Sequence, residues 1–518
     1  MQTLDWIVLA GYLGAMIALS AWLSRGQENS ADYFVGGRKL PWWAVGISIV
    51  ATQSSAISFV SIPAFVALRK GGGLTWLQYE LAVPLAMLFL LGWVVPYLRD
   101  RELVSVFEFP QQRFGLATGR TLAAVFLVSR GLATGIAIYA AALVVSPMLG
   151  WSLTASILLI GIVAVIYDTL GGMKAVVASD VIQLGLMVFG VGCAIVMAWS
   201  LVGGPAEAWA TLAPERRIAV DWSTGLGDEA TAPFWAYLVG GLFLYASYYG
   251  TDQSQVQRLL GTSRSREAQK AVLLGGVLRL PLTLLYIMLG IALGAVWQTQ
   301  PELQGLVSME RVDALVPQFL LTYVPVGLKG LILAAILAAA MSSVDSALNS
   351  LSAVTLRDFV QPWAGKAVGD HPLAGRIITV VWGVLVTGLA LVADGLDRTV
   401  IEAINKVGSA FFGPVLATFV IGLSVRRVRG PAMLTGLLSG VAINLTAWLT
   451  AWPLHWMWWN VMGFGVATVV AVGLSWRTNA GAVHDLPVAK WRAGEVKAAM
   501  PLLLGGFVLT LLLVVLLD

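Results

Sequence analysis

The chain has one cysteine, three histidines and few charges: Asp, Glu, Lys and Arg together make up 12% of its 518 residues. A single Cys193 excludes an intrachain disulfide and any multi-cysteine metal centre. His371, His455 and His484 are scattered, so neither a histidine metal site nor a catalytic cluster is legible, and no enzyme activity is expected. A net charge of only +4 leaves no electrostatic footprint for nucleic acid, and none is expected as a partner. The chain is instead rich in apolar residues, 58% hydrophobic with a mean hydropathy of +0.82.

Apolar runs of about 20 residues recur from end to end, each long enough to cross a ~30 Å hydrocarbon core. They predict an all-α polytopic membrane protein with about 14 transmembrane helices, at 4–24, 41–66, 73–97, 119–148, 152–170, 178–203, 232–250, 271–298, 328–353, 373–394, 401–425, 431–451, 455–475 and 499–517. The first run has no basic segment before it and does not read as a cleaved signal peptide. With the N-terminus outside, the cytoplasmic connections hold 22 of the 32 Lys and Arg residues against seven in the opposite set. That bias fits the positive-inside rule, so both termini are expected outside a cell (inner) membrane. No stretch reads as a soluble domain, and 1–518 is taken as one membrane transport unit in which a monomer suffices.

Residues 331–352, LILAAILAAAMSSVDSALNSLS, turn abruptly from apolar to hydroxyl-rich. At 100° per residue, Ala339, Ser342, Ser343, Asp345 and Ser346 share one side of a helix. Such a face reads either as a small-residue packing seam or as half of an oxygen cage for a hard cation. Arg130, Arg279, Lys406, Glu80 and Asp345 lie inside predicted spans, with Asp180 and Asp252 near span ends. Charges at that depth cost several kcal/mol each and face a cavity or one another, as internal struts or as the lining of a polar path. The second span is interrupted by Gln53, Ser54, Ser55 and Ser58, and the seventh by Tyr245–Thr251 around Tyr248 and Tyr249. Five spans separate the two interruptions, which predicts an inverted 5+5 repeat with a solute site between broken helices at the midplane. The first repeat is 32–203 and the second 232–425; 1–31 adds an N-terminal helix and 426–518 adds peripheral helices.

The stretches DYFVGGRKLPWWAVGISIVATQSSAISF (32–59), VFEFPQQRFG (106–115), YDTLGGMKAVVASDVIQ (167–183), TDQSQVQRLLGTSRSREAQKA (251–271) and AAAMSSVDSALNS (338–350) resemble the signatures of the sodium/solute symporter family. The resemblance covers about residues 32–425 and implies a leucine-transporter-like fold that couples Na⁺ entry to solute uptake. It implies a main Na⁺ site from Ala51 and Ser54 on the broken helix with Ala339, Ser342 and Ser343 opposite. Asp180, Asp345 and Ser346 match a second Na⁺ site or an exit path. Gln53, Ser58, Gln78, Glu80, Tyr248, Arg279 and Asn405 fall where members contact solute. Glu80 with Arg279 resembles the acid–cation pairing of sodium/galactose symporters. Arg130 lies where sialic-acid symporters place a carboxylate-gripping arginine. Gln53 and Ser55 depart from the sugar pattern, which puts a simple hexose in doubt.

The expected function is sodium-coupled symport of a small polar organic solute by alternating access, with a sugar or a sugar acid such as sialic acid favoured. An amino acid, small monocarboxylate or vitamin is the alternative solute; proton coupling or a channel is the alternative mechanism. The expected partners are the solute, sodium ions and the lipid bilayer.

Overall fold

A computed structural model describes residues 1–227, 231–365, 370–393, 400–477 and 491–517. His484 and most of the 477–497 connection lie outside the described residues. Among those described, the regular structure is helical throughout, with one isolated backbone bridge between Leu40 and Thr262. In chain order the main helices are α1 (Thr3–Leu23), α2 (Trp42–Gln53), α3 (Ala56–Ala67), α4 (Leu74–Arg99), α5 (Leu116–Leu149), α6 (Leu153–Val202), α7 (Gly241–Thr251) and α8 (Gln253–Leu260). They continue as α9 (Ser265–Thr299), α10 (Leu328–Val354), α11 (Pro372–Leu391), α12 (Val400–Ser424), α13 (Gly430–Leu449), α14 (Trp458–Arg477) and α15 (Ala493–Leu517).

Among the described residues, ten helices are long and apolar enough to cross a membrane, or eleven if α2 and α3 are one bent span. The expectation of about fourteen is not met by this measure for a physical reason. The spans expected at 152–170 and 178–203 run together in α6, fifty residues with one kink. At the kink Gly172 takes φ 58°, and a Cβ there would sit 2.6 Å from the Tyr33 carbonyl oxygen. Glycine alone accommodates both the backbone angle and that approach. The span expected at 232–250 is carried by α7 together with one π-helical turn, Ala236–Gly240, directly before it.

Helix α10 is the hub. It packs on α1, α2, α3, α5, α6, α8 and α11, and 94% of its most apolar window is buried, against 17% for α1. Small residues permit this, because helices in lipid associate by close packing rather than by hydrophobic expulsion from water. A Cβ on Gly190 of α6 would come within 2.8 Å of the Ala335 methyl on α10. Helices α12, α13 and α14 pack on one another at the side.

Two breaks interrupt the helices around this hub. Between α2 and α3 the axis bends by 59°, and Ser54 leaves the helix at φ −86°, ψ 84°. The second break differs from expectation. Residues 245–251 stay helical, because Thr251 Oγ1 donates back to the Ser247 carbonyl at 2.8 Å and its hydroxyl is satisfied without unwinding. The chain opens instead at Asp252, extended at φ −78°, ψ 124°, whose carboxylate caps α8 through the Ser254 amide at 2.8 Å.

Candidate solute pocket and ion cage

The break after Gln53 leaves backbone carbonyls without a continuing helix, and the hydroxyl face of α10 meets them. Ser342 Oγ donates to the carbonyls of Ala51 (3.0 Å) and Ala339 (3.1 Å). Ser343 Oγ donates to the Thr52 carbonyl at 2.8 Å and reaches Ala339 O at 3.5 Å. Five neutral oxygens from two helices therefore converge: the carbonyls of Ala51, Thr52 and Ala339 and the two serine hydroxyls. Oxygen donors without a carboxylate suit a monovalent hard cation that is to be bound and then released. Ser54 commits its hydroxyl to Tyr286 on α9 at 2.5 Å, so its carbonyl is what it has to offer a cation.

On the other side of Thr52 lies a network that sequence reading only half anticipated. Asp180, on α6 shortly after the Gly172 kink, is fully buried; its Oδ2 accepts from Ser48 Oγ at 2.5 Å, and its Oδ1 has no hydrogen-bond partner. Arg258, assigned from sequence to a loop, is also fully buried. Its guanidinium donates to the Ser48 carbonyl (2.8 Å), Thr52 Oγ1 (2.5 Å) and Ser346 Oγ (2.7 Å). Asp180 and Ser346 thus belong to one network. Asp345 touches its edge: its carboxylate accepts from the Tyr167 hydroxyl, the Ser346 amide and, at 3.2 Å, Ser346 Oγ. The signal for Arg258 was present in SQVQR, where Ser254 and Arg258 stand one turn apart on a short helix too polar to face lipid.

Beside the cage opens a cavity of about 1130 Å³, counted to its open mouth. Of the expected solute residues, Gln53, Ser58, Arg130, Tyr248, Arg279 and Asn405 line it, together with Asp252, Tyr79 and Phe412. Thr52 and Ser343 line it too, so one wall of the ion cage is also a wall of the pocket. Two expected contacts do not face the cavity. Gln78 is buried elsewhere, donating to the Ala232 carbonyl at 2.7 Å and accepting from the Asp221 amide at 2.9 Å. Glu80 lies behind Arg279 and holds it in a two-point pair, Oε2 to Nε at 2.9 Å and Oε1 to Nη2 at 2.7 Å.

That pair neutralises Arg279 and leaves Arg130 as the cation oriented for a ligand. Arg130 sits 5.9 Å from the centre of the Tyr248 ring and 3.9 Å from Asp252 Oδ2, with its Nε unpartnered. Gln53 Oε1 is likewise buried without a partner. A pocket lined by a guanidinium with an unpartnered Nε, an amide with an unpartnered oxygen and tyrosine faces is chemically suited to a solute that carries both a carboxylate and hydroxyls.

The model of the sodium:solute symporter family matches residues 33–440. The chain is 29% identical over 483 residues to the sodium/sialic acid symporter NanT of Aliivibrio fischeri, covering 90% of this chain and 92% of that one. It is 28% identical over 465 residues to the sodium/glucose cotransporter of Vibrio parahaemolyticus, covering 85% and 84%. Among solved structures, a substrate-bound outward-open Na⁺-coupled sialic acid symporter superposes with a TM-score of 0.82 at 25% identity, over 95% of this chain and 99% of that one.

Proposed function

The chain belongs to the sodium:solute symporter family, and from that premise we propose that it couples sodium entry to uptake of a sialic acid or similar sugar acid. Sodium-coupled solute symport follows from the family; the solute class is argued from the pocket. The observation that carries it is Arg130, a guanidinium lining the cavity with its Nε unpartnered, held only loosely by Asp252 while the other arginine is paired at two points with Glu80. The sialic acid symporters among the relatives support the same solute class.

The sodium site we propose uses the carbonyls of Ala51, Thr52, Ser54 and Ala339 with the hydroxyls of Ser342 and Ser343. When bound there, sodium supplies a positive centre that ties the α2–α3 break to α10. Because Ser343 and Thr52 also line the pocket, fixing the cage fixes that wall of the solute site. Sodium then raises solute affinity, and solute raises sodium affinity by the same factor. Gln53, Ser58, Tyr248 and Asn405 orient the solute, while Glu80 holds Arg279 in place. Asp180, with one oxygen unpartnered, Asp345 and Ser346 mark a second sodium position or the way out to the cytoplasm. Each sodium moving inward at −100 mV contributes about 2.3 kcal/mol, roughly a fortyfold solute gradient.

The finer architecture belongs to the same proposal: about fourteen spans in an inverted 5+5 repeat, both termini outside, with a monomer sufficient. Four further spans follow if α6 is divided at Gly172, if α2–α3 counts as one bent span, and if α7 and α15 each cross. Uptake of radiolabelled N-acetylneuraminate into proteoliposomes tests the function. Accumulation with external Na⁺ and its loss in choline is expected; equal uptake in both would sink sodium coupling. Uptake of a short monocarboxylate but not of N-acetylneuraminate would overturn the solute class.

A further inference from the structure

The carboxylate that faces Arg130 from within the protein has no assigned task in transport. Asp252 stands at the gap between α7 and α8 and lines the solute cavity. Its two oxygens do different things. Oδ1 accepts from the Ser254 amide (2.8 Å) and Ser254 Oγ (2.6 Å) and so caps α8. Oδ2 lies 3.9 Å from Arg130 Nη1, too far for a hydrogen bond and near enough for attraction. With Glu80 covering Arg279, the Arg130–Asp252 pair is the remaining charge pair on the cavity wall.

We propose that Asp252 is an internal stand-in for the solute carboxylate, holding Arg130 in the empty pocket and yielding it when an anionic solute arrives. The inference rests on the reading of Arg130 as the carboxylate anchor and adds a residue that sets affinity by competition. Three observations carry it. A cation walled into a cavity at membrane depth needs a counter-charge before the solute is present, and among the described residues Asp252 is the acid in range. The pairing is loose: no hydrogen bond forms between the two, and the Nε of Arg130 is buried without a partner, a donor that Asp252 leaves unsatisfied. An incoming carboxylate would place a second negative charge beside Asp252, and like charges sharing one guanidinium repel. Binding is thus an exchange of one carboxylate for another at Arg130, and a neutral solute gains nothing from it. Because Oδ1 keeps the α8 cap, the exchange proceeds without unravelling the helix that carries Arg258.

Asp252→Asn isolates the charge, since asparagine caps a helix as well as aspartate does. The purified full-length protein in saturating Na⁺ is titrated calorimetrically with N-acetylneuraminate and with its neutral methyl ester. The exchange predicts that Asp252→Asn binds the acid roughly three- to tenfold more tightly and the ester unchanged. Weaker or unchanged acid binding overturns the proposal, as does equal tightening for acid and ester, which would report a reshaped pocket. Asp252→Ser, which also caps, serves if the asparagine variant does not fold, with the same outcomes. Should the wild type bind neither ligand, the sialic-acid reading fails on its own. The stand-in is then decided by phenylglyoxal modification of Arg130 followed by mass spectrometry: faster in Asp252→Asn upholds it, and an equal rate overturns it.

Discussion

A hydroxyl at position 343 serves two sites at once, because Ser343 Oγ donates to the Thr52 carbonyl at 2.8 Å while the residue lines the solute pocket. Ser343→Ala removes one cage oxygen without changing shape much. Sodium affinity is expected to fall roughly tenfold, read as the Na⁺ concentration for half-maximal uptake. Glu80 and Arg279 illustrate a different economy. Removing one partner of a buried two-point ion pair strands the other charge, so Glu80→Gln is expected to destabilise by about 3–5 kcal/mol. A double Glu80→Leu, Arg279→Leu variant, melted alongside it in detergent, is expected to retain more stability than the single variant. If the single variant melts like wild type, the pair is not a strut. The resemblance to sodium/galactose symporters implied the pairing of Glu80 with Arg279; the apolar runs alone showed only two charges at membrane depth. It placed Glu80 against solute because spacing cannot tell which of two paired groups faces the cavity.

At the scale of elements, breaks matter more than helices. The gap after α2 was legible, since QSS in an apolar run leaves polar groups that a lipid-facing helix cannot satisfy. The gap before α8 was placed up to seven residues early. Serine and threonine look like interruptions in a composition, yet inside a helix their hydroxyls can bond back to carbonyls one turn earlier, as Thr251 does. Aspartate at 252 is the true stop because its side chain caps the next helix. The kink in α6 gives an element-scale test. Gly172→Ala meets a strained φ of 58° and a backbone oxygen at 2.6 Å, so a loss of a few kcal/mol is expected, seen as a lower melting temperature. An unchanged melt would mean that α6 relaxes there freely.

For the whole molecule, what is shared matters more than what is separate. The hydroxyl face of α10 reads from sequence as either a packing seam or a cage, and the two readings are compatible in the structure. Its alanines and glycine contacts bring α6 close while its serines meet the carbonyls freed at the α2–α3 break. Periodicity placed Asp345 with those serines, and it does bond Ser346; what periodicity could not see is Tyr167, which reaches the same carboxylate from α6. Arg258 escaped because a charge near a run of basic residues looks like a loop until packing closes over it. The account's central claim is that cage and pocket are coupled through the wall they share. The most direct measurement is the dissociation constant of N-acetylneuraminate for the purified protein across a Na⁺ series, with choline holding ionic strength constant. Wild type is predicted to bind more tightly as Na⁺ rises, by about 5- to 150-fold at saturation, with a much shallower response in Ser343→Ala. A dissociation constant that does not change with Na⁺ would contradict the account.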